Sequence, residues 1–279
     1  MEERDSHAED VRRIARELLL GGRVVGVVGL RSEHGRVGPH VFTVPPGEPG
    51  DLDVSLARLV LEPRYPLALV CRAALSTLAE GQLGVVVRGC DERALIEMAK
   101  LNQIDLHRLT MIGLACSEAQ ARRCTCARPY PQRTDVGESG DGVAPEDNES
   151  LRNLMSQSID ARLAFWTREF DRCIKCYGCR NVCPVCICDE CALEDACWVQ
   201  RGHIPPGLPF HLIRAYHVAD KCVGCGACEA ACPMDIPLTT LHTLLRVSLG
   251  ELFDYQPGLD IQAKSPLVTT LEETPIREL

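Results

Sequence analysis

What the sequence lacks narrows what it can do. Basic residues are not in excess: 30 Lys and Arg stand against 39 Asp and Glu, for a formal net charge of −9 and a pI near 5.4. That balance argues against a nucleic-acid backbone as partner, because phosphate binding draws on a basic surface. Long apolar runs are missing too, and no stretch is apolar enough to cross a bilayer. The opening MEERDSHAEDVRRIARELLL is charged almost throughout, with apolar residues at helical spacing and not in the continuous run of a signal peptide. The expected compartment is a reducing cytosol. Histidines do not cluster: His34, His40, His107, His203, His211, His217 and His242 are scattered and read as surface or satisfied structural residues, so no catalytic constellation is expected. A dinucleotide fingerprint is also lacking, since Gly26 and Gly29 in GVVGL fall short of G-x-G-x-x-G and no clear acidic ribose partner follows.

Thiols, by contrast, abound, with seventeen cysteines in 279 residues. The stretch CIKCYGCRNVCPVCICDEC, Cys173 to Cys191, packs seven of them into nineteen residues. A chain of this length does not need disulfides to compensate for a small core. In a reducing compartment clustered cysteines hold metal or do redox chemistry, so the seventeen read as ligands.

Two compositional halves meet at residues 129–150, PYPQRTDVGESGDGVAPEDNES, which reads as a linker: it is rich in Gly, Pro, Ser and acids and poor in large apolar residues. Residues 1–128 carry strand-like runs at 23–30, 40–44, 83–89 and 109–115. Between the last two, Ala94, Leu95, Met98, Ala99 and Leu101 suit one helix face. Strand, helix, strand predicts a parallel sheet and an α/β domain. Residues 151–279 lose the β-branched runs: a helix from near Ser150 leads into the first cysteine run, and helices are expected over 209–221 and 237–253. The second domain is mainly α-helical with metal-binding loops.

One spacing occurs twice. C-x2-C-x2-C-x3-C-P is found as Cys173, Cys176, Cys179, Cys183 with Pro184, and as Cys222, Cys225, Cys228, Cys232 with Pro233. This is the spacing of bacterial two-cluster ferredoxins, in which the fourth cysteine of each run serves the other cluster. The expected sets are therefore Cys173, Cys176, Cys179 with Cys232, and Cys222, Cys225, Cys228 with Cys183, each for a [4Fe-4S] cluster. Paired zinc sites are the alternative, but they usually come as two C-x2-C halves and need neither a third cysteine at this spacing nor a Cys-Pro.

Nine cysteines remain. Cys186, Cys188, Cys191 and Cys197 could hold a further cluster, with zinc as the alternative for the same ligands. Cys90 ends one predicted strand and precedes a helix whose positive end favours a thiolate; Cys116 ends the next strand. Parallel neighbours deliver both to one edge of the sheet, where Cys124 and Cys126 could complete a set. Cys71 is left over or stands in for one of them, and small buried thiols filling the core are the competing reading.

The long helical segment between the matched runs, together with CPMDIPL, resembles the α-helical ferredoxin type of heterodisulfide reductase and succinate dehydrogenase iron–sulfur subunits. GVVVRGCDERALIEMAKLNQID, MIGLACS, CTCARPYP and FWTREFDRCIKCYGCRNVCPVCIC resemble the beta-subunit family of deazaflavin-reducing hydrogenases and formate dehydrogenases, most specifically at Gly89, Cys90, Asp91, Arg93 and the cysteines. That resemblance implies a cluster on Cys90, Cys116, Cys124 and Cys126 and allows FAD in the α/β domain. The chain is then expected to be an electron-transfer subunit with three to four [4Fe-4S] clusters, linking a catalytic dehydrogenase or hydrogenase to a heterodisulfide-reductase-like flavoprotein. Its rivals are a flavin-dependent oxidoreductase acting on a deazaflavin or nicotinamide, and a zinc-organised interaction module.

Overall fold

The computed structural model describes residues 2–45 and 49–267, and the chain divides into two compact units, Met1–Ala121 with Arg128–Asp141 and Arg122–Ala127 with Gly142–Leu279. In the first unit, helix α1 (Glu2–Leu20) buries Ala8, Val11, Ala15, Leu18 and Leu19, one stripe at helical period, against the sheet. The strands are β1 (Gly26–Glu33), β2 (Arg36–Phe42), β3 (Leu59–Val60), β4 (Leu83–Val87) and β5 (Leu109–Gly113). Helices α2 (Pro49–Leu56), α3 (Leu67–Thr77), α4 (Gly89–Lys100) and α5 (Glu118–Cys124) complete this part of the chain, the last turn of α5 belonging to the second unit.

The sheet order is β2-β1-β4-β5, with β1, β4 and β5 parallel. All five residues of β4, LGVVV, are buried, as expected of a strand covered on both faces. The parallel unit β4–α4–β5 is the one read from the sequence. Two strands are antiparallel additions on β1: β3, and β2, which starts at Arg36 rather than His40. A two-residue turn at His34 and Gly35, both with positive φ, returns the chain at once and sets the register Glu33 to Arg36.

Residues 129–141, expected to be linker, pack into the first unit. The Ala115 N–H donates to the Val136 carbonyl at 3.0 Å, and the Gly113 N–H donates to the Asp135 carboxylate at 2.8 Å. Backbone pairing, one carboxylate and the few apolar residues Pro129, Pro131 and Val136, all buried, hold this segment, so its overall composition does not betray it.

In the second unit the helix expected from Ser150 is two helices, α6 (Glu149–Met155) and α7 (Ile159–Phe170). The break falls where the Ser158 hydroxyl accepts the Ala161 N–H at 3.2 Å and starts a new helix. Short helices α8 (Gly178–Asn181) and α10 (Ala227–Ala230) follow the two cysteine loops, and α9 (Leu208–Ala219) packs against both α7 and α11 (Leu238–Phe253). Phe170, Ile236 and Leu238 form a small core, and the Phe170 ring stacks on His211 at 4.0 Å. Among the described residues no helix is long and apolar enough to cross a membrane.

Candidate metal centres

The two C-x2-C-x2-C loops fold alike. In each, the second residue after the first cysteine and the fourth after it adopt left-handed backbone: Lys175 and Tyr177 in one, Gly224 and Gly226 in the other, with φ between 52° and 71°. Left-handed residues turn the loop back on itself, so the next cysteines face the same side as the first. Glycine takes this conformation freely, whereas a side chain pays roughly 1–3 kcal/mol. Tyr177 is held there by its hydroxyl on the Leu193 carbonyl at 3.3 Å and by the Arg180 guanidinium over its ring at 4.6 Å. Each run then closes with the same turn: the Cys186 N–H donates to the Cys183 carbonyl and the Asp235 N–H to the Cys232 carbonyl, both at 3.2 Å, with proline at the second position.

The loops come together through α8 and α10, where a Cβ on Gly178 would stand 3.0 Å from the Ala231 carbonyl oxygen. Two cavities result. One has Cys173, Cys176, Cys179 and Cys232 in its wall and about 530 Å³ of empty space, part of it open to solvent. The other has Cys222, Cys225, Cys228 and Cys183 and about 440 Å³. In each, three thiols come from one run and the fourth from the other. Among the described residues no group of three or more His, Cys, Asp or Glu is gathered at the spacing of a single metal ion.

These walls suit anionic sulfur with a positive core. Burial pushes the Cys173, Cys179, Cys222 and Cys228 thiols up; Cys183 is pushed up by its hydrogen bond to Cys186 and then by burial, while the same bond draws Cys186 down. Such thiols stay protonated unless a metal centre takes the place of the proton. Donors are in place as well. The Lys175 N–H points to the Cys173 sulfur at 3.4 Å. Arg214, which is 6% exposed, and His242, which is 3% exposed, line both cavities. Arg214 Nη1 lies 2.8 Å from His242 Nε2. Because arginine can only donate, Nε2 accepts and the imidazole proton sits on Nδ1. Burial, then Arg214 and Arg246, holds His242 at about 3, so it is neutral. Its Nδ1, the Arg214 Nε, the Arg246 Nε and the His211 Nε2 are buried with no partner among the described residues. Unpartnered buried donors beside a thiol-lined void fit a group with sulfur acceptors.

These basic residues escaped the sequence reading, which placed the scattered histidines on the surface or among satisfied structural positions. A signal existed: His211 and Arg214 fall at helical spacing with Phe210, Ala215 and Val218 on the buried face of α9, between the two cysteine runs.

The other cysteines are placed less uniformly. Cys186 and Cys191 are half-buried, whereas Cys188 and Cys197 are exposed. Cys71 is fully buried on α3, its thiol pushed up to about 12 by burial and then by Asp91. Cys90 lies in the first turn of α4 and Cys116 just past β5, at the C-terminal ends of adjacent parallel strands. Both border the segment Arg128–Tyr130. The Cys116 N–H donates to the Pro129 carbonyl at 2.8 Å, Arg93 Nη1 donates to the Arg128 carbonyl at 2.9 Å, and Gly89 leaves no room for a Cβ, which would stand 2.4 Å from the Tyr130 carbonyl oxygen. Asp91 accepts the Arg88 N–H at 3.1 Å and caps the helix. Each non-cysteine residue of the G-C-D-x-R motif thus has a structural task. Cys124 ends α5, and Cys126 gives its carbonyl to the Val143 N–H at 2.9 Å, both within the second unit.

Comparison with known proteins points to iron–sulfur chemistry. Residues 215–237, which include the second cysteine run, match the family described as 4Fe-4S binding domain. The chain is similar to F420-dependent formate dehydrogenase subunit beta of Methanocaldococcus jannaschii, 46% identical over 96 residues, which cover 34% of this chain and 25% of that protein. It is also similar to F420-dependent formate dehydrogenase 1 subunit beta of Methanococcus maripaludis, 26% identical over 296 aligned positions, covering 68% of this chain and 76% of that protein. The first match thus spans only a quarter of that relative's length. These curated homologues are formate dehydrogenase beta subunits, as the sequence motifs suggested.

Proposed function

We propose that the chain is an iron–sulfur electron-transfer subunit of a cytosolic formate dehydrogenase complex, passing single electrons between a catalytic subunit and a flavoprotein of the heterodisulfide-reductase-like type. The observation that carries this reading is the pair of thiol-ringed cavities with exchanged fourth cysteines. Structural zinc sites usually come as two C-x2-C halves and call for neither a third cysteine in each loop nor a fourth exchanged between the runs. Cubane clusters there supply one-electron exchange without bonds being made or broken.

Cys173, Cys176, Cys179 and Cys232 hold one cluster, and Cys222, Cys225, Cys228 and Cys183 the other. Seven of these cysteines are half-buried and Cys176 is exposed; the Lys175 amide donates toward the Cys173 sulfur, and the buried His242 Nδ1–H is available to an acceptor held in the cavities. By resemblance, Cys90, on the positive end of α4, and Cys116, past the adjacent strand, are ligands of a further cluster; Cys71 fills the core. Cys186, Cys188, Cys191 and Cys197 bind a fourth cluster or zinc. Electron exchange with F420, the coenzyme in the relatives' names, belongs to the complex. For FAD the residues do not fit a dinucleotide cradle: Gly26 and Gly29 lie inside β1, paired with Leu83 and His40, and not at a strand-to-helix turn.

The test is metal and flavin analysis of anaerobically purified protein. Three to four ligand sets predict about twelve to sixteen irons per chain at four per set, reducible by formate when the copurifying catalytic subunit is present. Eight or fewer irons with zinc in their place would overturn the extended chain of clusters.

A further inference from the structure

The geometry points to Arg214 as a single fixed counter-charge shared by both ferredoxin-type clusters, setting their reduction potentials together. This rests on the reading above that the two cavities take clusters. Arg214 projects from α9 between the cysteine runs and lines both cavities. Its guanidinium donates to the Cys179 carbonyl at 2.8 Å and to His242 at 2.8 Å, and its Nε has no partner among the described residues.

A buried cation is costly unless an anion faces it. No carboxylate forms an ion pair with Arg214 among the described residues, and both its hydrogen-bond acceptors are neutral. The groups that share its cavity walls are sulfurs of both sets, which become anionic on binding metal: Cys179 in the first wall, and Cys183 and Cys228 in the second. His242 cannot share the charge, since it spends Nε2 as an acceptor. Thiolate-bound clusters are anionic and gain negative charge on reduction, so a guanidinium at close range favours the reduced form of each. Arginine keeps its proton throughout, so the charge is constant with pH.

Arg246 provides the contrast. It is in the wall of neither cavity, and its guanidinium lies against Gly224 in the second loop, whose Cβ would meet Nη1 at 2.2 Å. Its influence belongs to the second cluster alone.

The experiment is a redox titration, followed by paramagnetic resonance, of iron-loaded wild type, Arg214→Gln, Arg214→Lys and Arg246→Gln, with iron counted in each. One electron passes from a reduced low-potential mediator to a cluster, and no bond changes. Arg214→Gln is expected to lower the reduction equilibrium of both clusters at least tenfold, which is 59 mV for one electron; Arg246→Gln is expected to do so only for the second. Full iron with both potentials unmoved in Arg214→Gln, or with only one moved, overturns the shared role. Should Arg214→Gln fail to retain iron, Arg214→Lys decides: iron retained with both reduction equilibria within threefold of wild type supports a requirement for charge, and iron lost there too marks Arg214 as a packing residue. Wild type without two cluster signals would instead refute the ligand assignment.

Discussion

Gly89→Ala reverses the sign that helix propensity alone would give. In the first turn of an unobstructed helix, the change would stabilise by up to about 1 kcal/mol. Here the new Cβ would stand 2.4 Å from the Tyr130 carbonyl oxygen and 2.8 Å from that of Arg128. Both are backbone atoms, and the segment that carries them is tied down by Cys116, by Arg93 and by Glu92, which accepts the Gln132 N–H at 2.7 Å. Overpacking of this kind costs about 1–3 kcal/mol, and a hydrogen bond stretched in the retreat about 1 more, so the net loss should be roughly 1–3 kcal/mol. At about 3 °C per kcal/mol for a domain of this size, the unfolding midpoint should fall by roughly 3–9 °C. Far-UV circular dichroism of anaerobic protein measures it, with Gly140→Ala as control, because nothing lies within 4 Å of a Cβ there. An unchanged or higher midpoint in Gly89→Ala would refute the close approach of residues 128–130 to α4.

Two further substitutions separate packing thiols from ligands. Cys71→Ala should keep full iron and lose about 1 kcal/mol for the small volume removed from the core. Since the Cys71 thiol is held at about 12, against an ordinary value of 9.0, its neutral form is favoured in the folded state. Wild-type stability should therefore fall as pH rises from about 9 towards 12, a limb that denaturant titrations should find flattened in Cys71→Ala. Cys90→Ala should remove about four irons while the ferredoxin-type resonance signals persist; full iron content with normal electron transfer would exclude Cys90 as a ligand.

The cysteine spacing suggested which thiols group together, and the two cavity walls bring those same residues side by side, because ligand order is a property of the chain and the turn at each Cys-Pro is local. The β4–α4–β5 unit was legible for the same reason: a fully apolar strand, a one-faced helix and a second strand each declare themselves by period. What stayed hidden depends on contacts distant in sequence. Strand β2 begins four residues before the apolar run because the His34–Gly35 turn fixes its register, and a polar edge strand carries little hydrophobic signal. Residues 129–141 have a linker's composition yet are held by the carbonyl of Val136 and the carboxylate of Asp135. The α6–α7 break rests on one serine cap within an otherwise continuous helical pattern. Arg214 and His242 looked like ordinary polar residues, since only the folded second unit brings α9 and α11 alongside both cysteine loops.

Cys183→Ser tests the exchanged ligation most directly. Iron-loaded protein is reduced and its two ferredoxin-type signals compared by paramagnetic resonance, with Cys173→Ser and Cys225→Ser identifying which signal belongs to which set. The account predicts that Cys183→Ser alters the signal also altered by Cys225→Ser and leaves the other in place, because Cys183 stands in the wall of the cavity lined by Cys222, Cys225 and Cys228. A change confined to the signal altered by Cys173→Ser would contradict it, and each run would then serve its own cluster.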